Sequence, residues 1–122
     1  MQGTIPFNFF PQAGSWTPVD TSVDFSDNSG QYVKIGNYVF MQGTFVLPNT
    51  ALVNGAELTI SGMPSDMQPQ TNTQSIGLAA CVNNGKSMYC RTYGGAIHIY
   101  NFTGDTIPAG SMYLFNASFY VP

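Results

Sequence analysis

Ser111-Met112-Tyr113-Leu114-Phe115-Asn116-Ala117-Ser118-Phe119-Tyr120-Val121 is the most regular stretch of the chain, and its period of two decides the fold. Tyr113, Phe115, Ala117, Phe119 and Val121 make one apolar stripe, while Met112, Leu114, Asn116, Ser118 and Tyr120 are mixed. Successive side chains of an extended strand point to opposite faces, so this alternation predicts a strand locked on a core by one face. Tyr38 to Leu47 repeats the pattern, with Val39, Met41, Phe45 and Leu47 together. Gly43 stands at the one position where that face lacks a side chain, a mark of a bulge or close backbone approach. This strand is expected to be central.

Working outward, shorter runs bounded by turn residues fill the rest of the chain. Thr4 to Phe10 places Ile5, Phe7 and Phe9 on one face before Pro11 ends it, and the QAGSWTP segment at 12–18 reads as a loop. Thr21 to Ser26 places Val23 and Phe25 together, with the DNSG segment at 27–30 as a turn. Gln31 to Ile35 is a short strand broken at Gly36-Asn37, and Glu57 to Ser61 turns Leu58 and Ile60 inward. Residues 62–74 form a long polar loop with two prolines, and loops of this length are usually functional or mobile. Ser75 to Val82, Met88 to Tyr93 and Ala96 to Phe102 complete the set. Eight or nine strands without substantial helix predict an all-β chain, an antiparallel β-sandwich of jelly-roll type in which residues 1–122 form one domain.

Composition narrows the function. The 122 residues carry only 3 Lys and Arg against 6 Asp and Glu, a net charge of −3. No basic field exists to neutralise phosphates, so nucleic acid is excluded as a partner. No run approaches the length of apolar residues that spans a bilayer, and MQGTIPFNFF has no basic stretch or small-residue cleavage site, so neither membrane insertion nor a secretion address is expected. Ser, Thr, Asn and Gln far outnumber the charged residues. Solubility normally leans on charge, so such a surface is covered with amides and hydroxyls, hidden partly in an oligomer, or both.

Hydrolytic chemistry finds little to work with. G-x-S-x-G, H-E-x-x-H and P-loop motifs are absent, and Asp20, Asp24, Asp27, Glu57, Asp66 and Asp105 fall in apparent loops or on solvent faces. His98 is the sole histidine and lies in a run apolar on both faces, which reads as a packed or interface residue. One His and two Cys at this spacing do not form a zinc cluster. No catalytic residue, metal or cofactor is expected, and the chain reads as a non-enzyme.

Cys81 and Cys90 flank an Asn83-Asn84-Gly85 turn. A two-residue loop at Gly85-Lys86 would set them opposite each other, but would also turn Arg91 to the face of Ile76, Leu78, Ala80 and Val82. A three-residue loop over 84–86 keeps Arg91 outward, which predicts free thiols with Cys90 buried and Cys81 facing the other way. Asn101-Phe102-Thr103 and Asn116-Ala117-Ser118 match the glycosylation sequon and are read as coincidental. A neutral sugar is recognised by a flat aromatic face with amides and hydroxyls around it. Trp16 in its loop, Tyr93 beside Gly94-Gly95, and Tyr100 are the candidate platforms.

The stretch Ser29-Gly30-Gln31-Tyr32-Val33-Lys34-Ile35-Gly36-Asn37-Tyr38-Val39 resembles a segment of the C-terminal head domains of tailed-phage fibres and tailspikes. There a G-x-Y-x-K-I-G-x-x-V segment leads from a turn into a long central strand. Leu58-Thr59-Ile60-Ser61-Gly62-Met63-Pro64 is similar to an apolar strand ending in a Gly-Leu-Pro corner, and the aromatic final strand falls in the expected order. Met63 stands where Leu is commoner, and the QPQTNTQ loop has no counterpart. On residue physics alone, Gly30 and Gly36 supply positive φ at two turns, Tyr32 and Ile35 anchor a hairpin on opposite faces, and Lys34 sets a charge between apolar neighbours.

The resemblance implies a tip module on a virion, made in a bacterial cytoplasm, that assembles as a homotrimer and binds a bacterial surface polysaccharide. Ile97, His98 and Ile99, with Ala96 and Tyr100, are the expected subunit contact, since an apolar patch on a low-charge surface otherwise invites aggregation. Two alternatives stay open: a purely structural trimer cap, and a small glycan-processing enzyme.

Overall fold

The computed structural model describes residues 11–70 and 74–122, and among them the chain forms strands and no helix. The eight strands are β1 (Gln12–Trp16), β2 (Ser26–Ile35), β3 (Tyr38–Val46), β4 (Glu57–Ile60), β5 (Ser75–Cys81), β6 (Ser87–Tyr93), β7 (Ala96–Tyr100) and β8 (Met112–Tyr120). The expected strand at Thr4 to Phe10 lies outside the described residues. All pairings are antiparallel, in the order β1-β2-β3-β8-β5-β6-β7-β4. The fold is all-β, but its strands join in one continuous curled sheet where a jelly-roll sandwich would divide them between two.

Core packing follows the alternation read from β3 and β8. Val39, Met41 and Phe45 face inward with Tyr113, Phe115, Ala117 and Phe119. Phe45 stacks between Phe25, 4.2 Å away, and Tyr113, 5.3 Å away. Gly43 marks a close approach: a Cβ there would lie 2.6 Å from Phe115 Cζ. At the β2–β3 hairpin Gly36 has φ +59, the conformation for which a two-residue loop selects glycine.

Four local expectations are corrected. The QAGSWTP segment is mostly strand, because Gln12 to Trp16 pairs with Gly30 to Lys34 and buries the indole. Thr21 to Phe25 is irregular, and the DNSG segment lies inside β2, where the register shifts between Ser26 and Ser29 and Asp27 has φ +49, a bulge rather than a turn. Gly30 does not have positive φ; it is required because a Cβ would meet Trp16 Nε1 at 2.5 Å. The faces of β5 are the reverse of those expected, with Gly77, Ala79 and Cys81 inward and Ile76 and Leu78 left 76% and 69% exposed.

Space explains that reversal. Gly77 lies against Cys90 and Ala117, and a Cβ there would stand 2.9 Å from the Cys90 sulfur and 2.5 Å from the Asn116 carbonyl. The neighbouring main chain and the Cys90 sulfur already fill this part of the core, so only a residue without a side chain fits at position 77 of β5. The β5–β6 connection spans residues 82–86 and is closed by the Cys81 N–H donating to the Lys86 carbonyl at 3.1 Å. Both cysteines therefore face inward, against the expectation for Cys81, and Cys90 pairs across from Gly77. Three residues of β5 separate Gly77, the partner of Cys90, from Cys81, and both thiols are free.

The ends of the sheet are fastened together. Val19 and Ser61, just beyond β1 and β4, exchange N–H···O bonds of 3.0 and 2.8 Å, and the Thr59 N–H donates to Asp20 Oδ2 at 2.9 Å. Gly62 permits the crossing, having φ +99 and a missing Cβ that would fall 2.2 Å from the Thr17 carbonyl oxygen. A second bridge, Leu52 to Ile107, is organised by fully buried Asn101. Its amide donates to the Leu52 and Asp105 carbonyls, both at 2.8 Å, and its oxygen accepts from the Thr103 N–H and hydroxyl. The first sequon is thus an internal hydrogen-bonding node, in keeping with the coincidental reading.

Candidate functional site

Outward-facing side chains of the central strands make an unusually apolar surface. Ile76 and Leu78 of β5, Leu114 of β8 and Phe40 of β3 are all exposed. A groove of about 840 Å³ crosses five strands here. Val33, Phe40 and Ile76 line it together with a row of amides and an aliphatic, Gln31, Gln42, Asn116 and Leu78. Cross-strand register sets that second row: Gln31 pairs with Gln42, Gln42 with Asn116, and Asn116 with Leu78. Continuing the row, Leu78 pairs with Tyr89 and Tyr89 with Tyr100. The surface thus passes from amides through an aliphatic into aromatics.

The aromatic end is built by the β6–β7 hairpin. Gly94 and Gly95 have φ +61 and +81, the pair of positive values that a tight two-residue turn needs. The resulting register sets Tyr89 against Tyr100 and Arg91 against His98. The Tyr100 and Phe102 rings stack at 5.4 Å and 20°, with Tyr89 within 5.5 and 6.0 Å of the two. Tyr89 and Phe102 are exposed.

Arg91 lies among these rings, its guanidinium carbon 4.6 Å from the Tyr93 centroid and 5.3 Å from that of Tyr100. Its Nη2 donates to the Tyr100 hydroxyl at 3.0 Å, and that hydroxyl lies 3.3 Å from the Tyr93 hydroxyl. Burial, then the Tyr93 contact, pushes the Tyr100 phenol up, so it stays protonated. The Tyr100 bond raises the guanidinium's own ionisation, which leaves Arg91 cationic throughout.

Beside this cluster His98 is buried and stacks on Tyr93 at 3.8 Å and 9°. Its Nδ1 lies 2.6 Å from Glu57 Oε2 and its Nε2 lies 3.2 Å from the Tyr93 carbonyl. The carbonyl can only accept, so the Nε2 that a serine would need as base faces a main-chain oxygen. Among the described residues no three His, Cys, Asp or Glu come together as a metal site.

Of the expected sugar platforms, Tyr93 and Tyr100 are brought together, whereas Trp16 is only 6% exposed and packs edge-on against Phe115. Trp16 is a core residue. The expected contact surface at Ile97, His98 and Ile99 is also corrected: both isoleucines are fully buried within the domain, and His98 is covered by Tyr93. Tyr89, Arg91, Phe102 and the outer face of β5 were not found by sequence reasoning. The Gly94-Gly95 turn was the available signal, since a two-residue loop there sets Tyr89 opposite Tyr100 and Arg91 opposite His98. Compared with known proteins, the chain matches no family model and no curated sequence.

Proposed function

We propose that the chain is a binding and assembly module, the C-terminal tip domain of a phage tail fibre or tailspike, which associates as a homotrimer and binds a bacterial surface polysaccharide. The sequence likeness at 29–39 and 58–64 motivates the class. The observation that carries the assembly role is the outer face of β5, where Ile76 and Leu78 stand in water on a surface with almost no charge. Covering that face with further copies removes the exposed aliphatics that amides alone do not mask. The subunit contact is therefore moved from β7 to β5 and β8.

The polysaccharide role rests on the cluster of Tyr89, Tyr93, Tyr100 and Phe102, which presents stacked ring faces beside amides and hydroxyls. Light scattering coupled to size exclusion tests the assembly: a species of about three times 13.2 kDa is expected, and Leu78→Glu shifts it to one. A monomeric wild-type domain overturns the reading. A glycan array probed with the same protein tests the second role, and an intact trimer that binds no glycan leaves the purely structural cap.

A further inference from the structure

Two of the three cationic side chains have a carboxylate partner, Lys34 with Asp66 and Lys86 with Asp105. Arg91 has none within 4 Å, although every Asp and Glu of the chain lies among the described residues. The nearest candidate by register, Glu57 opposite Tyr100, is engaged by His98. Neutral groups hold the guanidinium instead: the Tyr100 hydroxyl, the Tyr93 and Tyr100 ring faces, and Gln74 Oε1 at 3.5 Å. Those groups fix its position and leave its charge uncompensated.

From this geometry we propose that Arg91 and the adjoining Tyr89–Tyr100–Phe102 rings form a site for a saccharide bearing an anionic substituent. A guanidinium has five N–H donors, and the Tyr100 and Gln74 bonds use one on each terminal nitrogen. Each terminal nitrogen keeps a second N–H, enough for a carboxylate or a phosphoryl or sulfuryl oxygen pair. The exposed faces of Tyr89 and Phe102 beside it take the C–H face of a pyranose ring. A purely neutral glycan would desolvate Arg91 without pairing it, which costs affinity, so the site discriminates in favour of acid-bearing sugars. This inference rests on the polysaccharide reading and narrows its ligand to acidic chains.

The test is an array of bacterial capsular and O-antigen polysaccharides in which every uronate-containing member is printed beside its carboxyl-reduced form. Wild-type protein is expected to bind acidic members at least about tenfold more tightly than their reduced forms, the size of a lost charged hydrogen bond. Arg91→Gln should abolish that difference, Arg91→Lys should restore part of it, and raising the salt should weaken acidic binding only. A thermal melt on each variant verifies folding. Equal binding of both forms, unchanged in Arg91→Gln, overturns the anion site while the polysaccharide reading survives. Binding to no member of the array overturns both.

Discussion

Trp16 occupies the volume that a side chain at position 30 would need: a Cβ on Gly30 would lie 2.5 Å from Nε1 and 2.7 Å from Cε2 of the indole, across the β1–β2 pair. The Gln42 carbonyl closes the other side at 2.9 Å. Gly30→Ala must therefore displace the ring or the sheet, and overpacking of this kind costs about 1–3 kcal/mol. Urea denaturation measures the loss. Trp16 is the single tryptophan, so its emission moving to longer wavelength reports the displaced ring directly.

Gly62→Ala is expected to be more damaging. The obstacle at 2.2 Å is a main-chain oxygen, which cannot swing aside, and φ +99 is itself strained for any residue with a side chain. The Val19–Ser61 bridge is the feature lost. Hydrogen exchange should show the Val19 and Ser61 amides deprotected together, while the β3 and β8 amides keep their protection.

Tyr113 offers a change in the opposite direction. Its ring is buried against Phe45, but its hydroxyl has no hydrogen-bond partner among the described residues, and burial pushes its ionisation far up. Tyr113→Phe keeps the ring and deletes the stranded oxygen. Stability should rise by about 1 kcal/mol, read as a higher denaturation midpoint with an unchanged slope.

The Cys90 thiol makes the fold sensitive to alkali. Burial pushes Cys90 from 9.0 up to about 11, so the folded state holds its proton where the unfolded chain has released it. A raised thiol pKa contributes stability that is complete below pH 9 and is lost as pH climbs toward 11. Tyr113 acts in the same sense from pH 10 upward. Melting temperatures between pH 8 and 11 should fall steadily, and Cys90→Ala should flatten the first part of that decline. Ellman titration of the denatured protein should give two thiols without reductant, against slow reaction in the native state.

The strands that could be read from the sequence were those whose two faces differ in character. In β8 every inward residue is larger or more apolar than its amide and serine neighbours near Asn116 and Ser118, and the face follows. β5 defeats the same reasoning because both of its faces are apolar and the bulkier set, Ile76 and Leu78, points out. Which set goes inside depends on how much room Phe115 and Cys90 leave, a property of partner strands absent from the local pattern. β1 was illegible because Gln12 to Trp16 holds a single large apolar residue, so it carries no alternation. Trp16 was consequently assigned to the surface. Tyr93 and Tyr100 were identified as site residues singly, but Arg91 entered only as an outward charge, because its ring partners depend on the register of β6 and β7.

Joining Val19 to Ser61 has a consequence for how such a domain can associate. A sheet whose rims are pinned to each other is a poor template for another chain to extend by adding strands. For the proposed trimer this leaves the flat of the sheet as the contact surface. In that trimer such contacts would close on themselves at a fixed number of members, with the seam at Gly62 keeping the rims out of the association.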